Sequence, residues 1–149
     1  MRGRWRRIRM LWHTGQVMST DSTSGLPDFL QARRPSRVYR GSYHEDEFVV
    51  SVLDSALTEG EAKPYVLQPG PSRGIRDYSN SFHWGSDSPG TRQLAVALLL
   101  DVTADAAITI QWHKSFAETY VRKLESYWTV PEIDIAFWLY CFQNAPPAT

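Results

Sequence analysis

Cysteine is nearly missing from this sequence, since Cys141 is the only one in 149 residues. A single thiol excludes an internal disulfide and a zinc site built on several cysteines. Because Cys141 lies in an apolar run that we predict to be helical, we expect it to be a small buried side chain in a reducing cytosol. The fold must therefore rest on an apolar core, and a chain of this length can supply one.

Long hydrophobic runs are missing too. No apolar stretch reaches the roughly 18–20 residues that a helix needs to cross a bilayer, and the apolar residues at 10–12 are too few for a signal-peptide core. We therefore expect a soluble, cytoplasmic protein. The aromatic share, by contrast, is high at 13%, with six Trp and seven Tyr. Each such ring buries a large area, so they indicate an aromatic-rich core or, less often, an exposed aromatic patch.

The chain also has no net charge, but its charges are unevenly spread. Residues 1–40 carry nine Arg and two Asp, whereas residues 41–149 carry seven Lys or Arg and fourteen Asp or Glu. This asymmetry is typical of a basic tail on an acidic body. A basic tail can bind phosphate backbones, whereas an acidic body repels them. We expect a basic, mostly disordered tail over 1–36, one globular domain over 37–143 and a short tail over 144–149.

Residues 1–17 admit three interpretations, because they hold five Arg and two Trp but no acidic residue. The segment is a disordered basic arm, an extension that is not part of the native protein, or a nucleic-acid-binding tail. In the last case, further arginines would extend the basic surface toward the domain. These candidate nucleic-acid-binding residues are Arg33, Arg34, Arg37 and Arg40.

β-Forming residues dominate the start of the predicted domain. The runs at 37–41 and 47–53 predict two antiparallel strands, and a third short strand fits 64–67. Within the first run, Gly41 is typical of a turn or a bulge. The proline- and glycine-rich segment at 68–74 predicts a turn or an exposed loop.

The most distinctive stretch is a helix that is apolar on nearly every face. Ser88 and Pro89 are typical of an N-cap and a first helical residue, and residues 94–100 contain no polar side chain. A helix of this kind is buried on more than one side, so we place it at the centre of the domain.

The residues at the entrance to this helix have predicted structural roles. Trp84 fills the core and Gly85 permits a turn. Gln93 is the one polar residue on the buried helix, and a buried amide must find hydrogen-bond partners. We expect these partners in the backbone of residues 82–87.

Two more helices follow in the prediction. Thr103 would cap a helix over 104–126, with a buried stripe made of Ile108, Trp112, Phe116 and Tyr120. Thr129 and Glu132 form a capping-box pattern for a last helix over 130–143, which would pack Ile133, Ala136, Phe137 and Tyr140. The predicted fold is therefore α+β: a small antiparallel sheet of two to four strands packed with three C-terminal helices, the central one buried.

Metal-binding motifs are not found. His44, His83 and His113 lack the spacing of metal ligands, and the patterns HExxH and SxxK do not occur. A capping role already explains Ser88. We therefore expect no metal, no cofactor and no catalytic residue.

The start of the central helix offers a possible anion site. Its free N–H groups attract anions, and the candidate residues are Ser86, Ser88, Gly90 and Arg92. Against this, Asp87 places a negative charge at the same point and can itself satisfy the helix dipole.

Acidic side chains suggest a surface for a protein partner. The candidate residues are Glu45, Asp46, Glu47, Asp54, Glu59 and Glu61. An ordinary solvated face is the alternative interpretation of the same residues.

Several motifs together resemble a known family. They are Tyr39-Arg40-Gly41, Phe82-x-Trp84-Gly85, Gln93-Leu94-Ala95-x-Ala97-Leu98-Leu99, Phe116, Trp128, Glu132-Ile133 and Trp138-Leu139. This pattern, over about residues 37–142, resembles an uncharacterised domain family found in bacterial, archaeal, plasmid and phage genomes. The sequence departs from it at 86–89, where members are richer in glycine.

The resemblance carries no activity over, but it implies a setting among mobile elements. Together with the acidic, aromatic-rich body, it favours a non-enzymatic protein-interaction module. Such a module would be a phage or plasmid accessory factor that inhibits a host defence complex such as a CRISPR effector. The alternative hypothesis is a nucleic-acid-binding protein that uses the N-terminal arginines.

Overall fold

The computed structural model describes residues 35–55 and 63–144. In chain order the elements are strands β1 (Arg37–His44), β2 (Glu47–Asp54) and β3 (Tyr65–Val66), helices α1 (Pro69–Arg73), α2 (Pro89–Thr103) and α3 (Ala106–Thr119), a 3₁₀ turn (Val121–Lys123), strand β4 (Trp128–Pro131) and helix α4 (Glu132–Gln143). The strands form one antiparallel sheet in the order β3-β2-β1-β4. The predicted α+β class is confirmed, and the described residues belong to one compact unit, Pro35–Thr149.

Strands β1 and β2 form a hairpin closed by a two-residue turn. The turn residues 45–46 have φ of 50° and 65°, the left-handed region that a type I′ turn needs at both positions. This turn pairs His44 with Glu47, and the next pair along is Tyr43 with Phe48. Because side chains alternate along a strand, Tyr43 and Phe48 share one face of the hairpin, and His44 and Glu47 share the other.

The prediction of a turn or bulge at Gly41 is wrong. Gly41 lies inside β1, and its partner across the ladder in β4 is Trp128. The indole of Trp128 lies directly over it, since a Cβ on Gly41 would be 2.1 Å from ring atoms Nε1 and Cε2. The missing side chain therefore makes room for Trp128, which is itself buried.

Helix α2 is buried at the centre of the domain, as predicted. Ser88 is its N-cap, with the side chain accepting a hydrogen bond from the Thr91 backbone, and Pro89 follows as the first helical residue. Its buried apolar residues are Leu94, Ala95, Val96, Ala97, Leu98, Leu99 and Val102. Fully buried side chains of the sheet, such as Val50 and Val52, complete this core.

Two boundaries before and after α2 differ from the prediction. A short helix, α1, replaces the loop expected at 68–74, because proline is well suited to the first turn of a helix. After α2, Ala104 adopts φ 53° and Asp105, rather than Thr103, caps α3 by accepting from the Ile108 backbone. Thr103 instead donates its hydroxyl to the carbonyl oxygen of Leu99 at 2.8 Å.

Helix α3 ends at Thr119, seven residues before the predicted end. Its buried residues are Thr109, His113, Phe116 and Ala117, so only Phe116 of the predicted stripe is buried within the helix. Trp112 is half-buried beside Phe142, with ring centroids 6.3 Å apart.

The capping box predicted for the last helix is wrong. Residues 129–131 pair with β1 as part of β4, and α4 begins at Glu132 with no side-chain cap. The buried apolar residues of α4 are Ile135, Ala136 and Leu139. The expected packing of Phe137 and Tyr140 is therefore also wrong, since Phe137 is 64% exposed and Tyr140 is 37% exposed.

Cys141, expected to be buried, is exposed on α4. Nearly every residue of this helix is apolar, so the sequence does not distinguish a buried face from an exposed one.

Candidate functional site

An open groove lies at the turn end of the β1–β2 hairpin. Its volume is about 420 Å³, and it is lined by Tyr43, Phe48, Trp84, Gly85, Leu124, Glu125 and Ser126. We call it the hairpin groove. The Tyr43 and Phe48 ring centroids lie 4.6 Å apart, and Trp84 meets Phe48 edge-on at the same distance of 4.6 Å. Aromatic rings thus form one wall of the groove.

Gly85 brings the opposite wall into place. Its φ of 81° lies in the region that glycine alone adopts freely, and its N–H donates to the Val121 carbonyl at 3.3 Å. A Cβ on Gly85 would lie 3.1 Å from the Leu124 carbonyl oxygen. The turn expected at this glycine therefore seats residues 124–126 beside Trp84, which is buried as predicted.

The predicted acidic patch is divided by the hairpin. Asp46 accepts a hydrogen bond from the Tyr43 hydroxyl at 2.8 Å, so it lies at the rim of the groove. That hydrogen bond, helped by the negative charge, raises the pKa of Tyr43. Glu45 lies 3.5 Å from His44, and Glu47 projects from the opposite face of the hairpin.

The remaining predicted acidic residues are not near the groove. Asp54 lies at the far end of β2, across from Arg37, and accepts a hydrogen bond from the Ser36 hydroxyl. Glu59 and Glu61 lie outside the described residues. A carboxylate that the sequence analysis did not single out, Glu125, lines the groove instead.

A second polar cluster joins the sheet to the last turn of α2. The Asp101 carboxylate accepts from the Tyr39 hydroxyl at 2.6 Å, from Arg37 Nη1 at 3.1 Å and from the Tyr65 hydroxyl at 3.1 Å. Arg37 Nη1 also donates to the Asp101 carbonyl oxygen at 2.8 Å, a group near the helix end that needs a partner from outside the helix.

This environment makes both phenols harder to ionise. Burial and the Asp101 charge raise the pKa of Tyr65 to about 12, and the same two causes raise the pKa of Tyr39 well above its usual value. Burial disfavours the Arg37 charge, but Asp101, Tyr65 and Tyr39 together outweigh it and raise the pKa of that guanidinium. A cavity of about 430 Å³ adjoins the cluster. The Asp101 carboxylate, the two tyrosine hydroxyls and Arg37 Nη1, however, already bind one another and join the sheet to α2.

The arginines proposed for nucleic-acid binding are separated in the structure. Arg37 is paired with Asp101, and its side chain is 25% exposed. Arg40 is exposed. It lies three residues after Arg37 in β1, and since side chains alternate along a strand, it is on the opposite face of the sheet. Arg33 and Arg34 lie outside the described residues.

The start of α2 is filled by the chain itself. The Thr91 hydroxyl donates to the Ser86 carbonyl at 2.7 Å, and Arg92 pairs with Asp87 at 3.0 Å. Gly90 packs against the preceding segment, where a Cβ would lie 2.8 Å from the His83 Cβ. Of the proposed anion-binding residues, Arg92 is thus engaged by a carboxylate of this chain, and Ser88 serves as the cap.

Gln93 finds partners, but not in the predicted segment 82–87. Its Oε1 accepts from the backbone N–H groups of Tyr78 at 2.7 Å and Ser79 at 3.0 Å. Its Nε2 donates to the Ser72 hydroxyl at 2.8 Å and the Arg76 carbonyl at 3.1 Å. One amide therefore holds the first part of the irregular connection between α1 and α2, up to Ser79.

His113 forms a second such tie. Its Nδ1 lies 3.0 Å from the Thr109 carbonyl oxygen, and its Nε2 lies 2.8 Å from the Tyr78 hydroxyl. A neutral ring with the proton on Nδ1 satisfies both contacts. Burial lowers the pKa of His113 in agreement with this state. Within residues 35–55 and 63–144, no group of three or more His, Cys, Asp or Glu side chains is placed to hold a metal ion.

Fold and site together define a small α+β domain whose polar side chains join its elements and whose hairpin end carries an open aromatic groove. The chain belongs to the family of unknown function DUF6166, whose model matches residues 47–140. The resemblance to an uncharacterised domain family is thereby confirmed. Comparison with the curated proteins gives no match, and neither does comparison with the solved structures. Among the described residues, no helix combines the length and apolarity that crossing a membrane requires.

Proposed function

We propose that this protein is a non-enzymatic protein-interaction module whose partner binds at the hairpin groove. The observation that carries the proposal is the juxtaposition, at one exposed end of the sheet, of an aromatic wall with the carboxylates of Asp46 and Glu125. Interfaces are enriched in aromatic residues, because a rigid ring contributes a large contact area for little loss of entropy.

The tyrosines around the groove support this role. Tyr127 is 68% exposed and Tyr43 is 37% exposed, although both rings are held in place. The Tyr127 hydroxyl donates to the Tyr43 carbonyl at 3.1 Å, and the Tyr43 hydroxyl donates to Asp46. Exposed side chains that are already ordered lose less entropy when a partner binds.

The other polar clusters support a scaffold role. Asp101, Gln93 and His113 each bind groups from other parts of the domain, and their contacts account for how its elements are joined. The groove differs from them, because its walls face outward at an end of the sheet.

The biological setting stays a prediction. A role as a phage or plasmid accessory factor that inhibits a host defence complex rests on the family resemblance, and it fits a domain that acts by binding a protein.

The test compares matched charge reversals in affinity capture from a bacterial lysate. The groove variant carries Asp46→Lys and Glu125→Lys, and the control variant carries Glu47→Lys and Glu118→Lys, so both change the net charge equally. We expect proteins that the native chain and the control retain to be lost specifically from the groove variant. Equal retention by all three chains would show that the groove is not the binding surface.

Nucleic-acid binding by the N-terminal arginines is tested separately by gel shift with the full chain. Salt of about 50 mM favours phosphate contacts most. If the hairpin groove is the functional surface, the groove variant and the native chain should behave alike in this assay. A shift abolished by replacing Arg33, Arg34 and Arg40 would favour the alternative hypothesis.

A further inference from the structure

The charges at the hairpin groove define what kind of group it can receive. Glu125 lines the groove, and no lysine or arginine is among its lining residues. Asp46 adds a second carboxylate at the rim. The cationic residues nearest to Glu125 in sequence, Arg122 and Lys123, are exposed on the 3₁₀ turn that leads into it and do not line it. A cation is therefore favoured at the groove, and a phosphate or carboxylate is repelled.

We propose that the hairpin groove binds an arginine side chain of a basic segment in the partner protein; this inference rests on the proposed function. A guanidinium is planar and weakly hydrated, so it stacks on aromatic faces while its N–H groups pair with carboxylates. The rings of Tyr43 and Phe48 provide the apolar surface, and Asp46 and Glu125 provide the acceptors.

The structure holds Asp46 and the aromatic wall in position before the partner arrives. The hydrogen bond from the Tyr43 hydroxyl fixes the Asp46 carboxylate, and the left-handed turn fixes the backbone beneath it. Behind Phe48, the indole of Trp84 is itself packed edge-on against Trp128, with ring centroids 5.4 Å apart. A preformed wall of this kind lowers the cost of immobilising a flexible arginine.

Lysine is the closest competitor, and the geometry disfavours it. Its ammonium is a compact, strongly hydrated charge that cannot stack and that makes no fork of parallel hydrogen bonds. A segment with lysine in place of arginine keeps the same charge but loses these two contributions. The comparison of the two therefore separates the proposed chemistry from general attraction between an acidic end and a cation.

The experiment titrates three synthetic peptides into the full chain and measures binding by calorimetry. The peptides are identical except for a central arginine, lysine or citrulline, flanked by glycine and serine. We expect the arginine peptide to bind about tenfold more tightly than the lysine peptide, with no binding by the uncharged citrulline peptide.

Single variants locate the site. Asp46→Asn and Glu125→Gln should each weaken arginine-peptide binding by about five- to tenfold. Glu47→Gln and Glu118→Gln, which remove a carboxylate away from the groove, should leave it unchanged. All four side chains belong to exposed residues, and equal thermal melting temperatures confirm that the variants stay folded.

Three outcomes would overturn the inference. Equal affinity for the arginine and lysine peptides would show that the groove attracts any positive charge and does not recognise a guanidinium. Equal weakening by the groove variants and the Glu47→Gln control would place the site elsewhere. Binding that emerges only after the five arginines of residues 1–17 are replaced by glutamine would show that the chain's own segment is the occupant.

If captured proteins still depend on the groove while the peptides fail to bind, the proposed function stands and the arginine chemistry is wrong.

Discussion

At the scale of single residues, Asp101 joins three elements. Its carboxylate binds Tyr39 and Arg37 of β1 and Tyr65 of β3, although it stands on α2. The Arg37 and Asp101 side chains are 25% and 18% exposed, so water screens the pair only in part. A charge in this position cannot be removed without leaving its partner in a poorly solvated site.

Asp101→Asn should therefore lower the free energy of unfolding by about 1–3 kcal/mol, less than the roughly 3–5 kcal/mol typical of a fully buried pair. The measurement is urea unfolding followed by circular dichroism. Asp77→Asn is the matched control, because it removes an exposed ion pair with Arg73, and it should leave stability almost unchanged. Equal effects of the two substitutions would contradict the role assigned to Asp101.

Gly41 is a second residue with a defined steric role. Gly41→Ala should destabilise the domain by about 1–3 kcal/mol or more, since the new Cβ would overlap the Trp128 indole. Adding Trp128→Leu should return part of the lost stability, because a smaller side chain leaves room for the methyl group. Gly70→Ala serves as the control, since a Cβ there meets nothing within 4 Å. Additive effects of Gly41→Ala and Trp128→Leu would show that the two positions do not clash.

At the scale of elements, the connection between α1 and α2 has no regular structure, and its first part is held by the Gln93 side chain. Gln93→Met keeps the volume of the buried side chain but leaves two backbone N–H groups and one carbonyl without their partner. We expect a loss of at least about 2 kcal/mol, because each unsatisfied buried group costs about 1–3 kcal/mol.

Amide hydrogen exchange tests this more directly. The Tyr78 and Ser79 amides, which donate to Gln93, should exchange faster in Gln93→Met, whereas amides inside α2 should change much less. Gln111→Met, on the exposed face of α3, is the matched control. Uniformly faster exchange throughout the domain would indicate global destabilisation and not a local tie.

Elements were predictable where a local signal was strong. Ser88 and Pro89 define the start of α2 in sequence and structure alike, and the apolar run after them predicts its burial. Local signals failed where tertiary contacts decided. Thr129 and Glu132 have the spacing of a capping box, but residues 129–131 pair with β1 and are part of the sheet.

The candidate site was predictable only in part. The sequence predicts Asp46 as a partner-binding residue because of its charge. Its position beside the groove depends on a His-Glu-Asp-Glu turn, and this turn lacks the usual Asn-Gly or Asp-Gly signal. Glu125 and Tyr43 are distant in sequence and meet only because Gly85 seats residues 124–126 beside Trp84. Side chains brought together by three separate segments leave no periodic pattern in the sequence.

At the scale of the whole molecule, acid should lower stability through His113. Burial lowers its pKa in the folded state, so the unfolded chain binds a proton at a higher pH, near the ordinary value of about 6.5. The stability that the neutral His113 ring contributes is fully present above that pH. It is lost as the pH falls from that value through the lower pKa of the folded state, with a slope of up to about 1.4 kcal/mol per pH unit.

The measurement compares urea midpoints at about pH 7.5 and about pH 5.5 for native protein and His113→Gln. The native chain should lose more stability than the variant over this interval. His44→Gln, in which an exposed histidine is replaced, should retain the native pH dependence. Identical pH dependence in all three would exclude His113 as its source.

The sheet order has a consequence for how the chain is made. β1 lies in the interior of the sheet, between β2 and β4. Its pairing with β4, which places Gly41 opposite Trp128, cannot form until β4 has been made. During synthesis the hairpin emerges first, and the strand that covers its other edge is translated only after α2 and α3. Loop closure over most of the domain precedes this pairing, which slows folding. The nascent hairpin therefore spends this interval with an open edge, and a chaperone or a second nascent chain can reach it there.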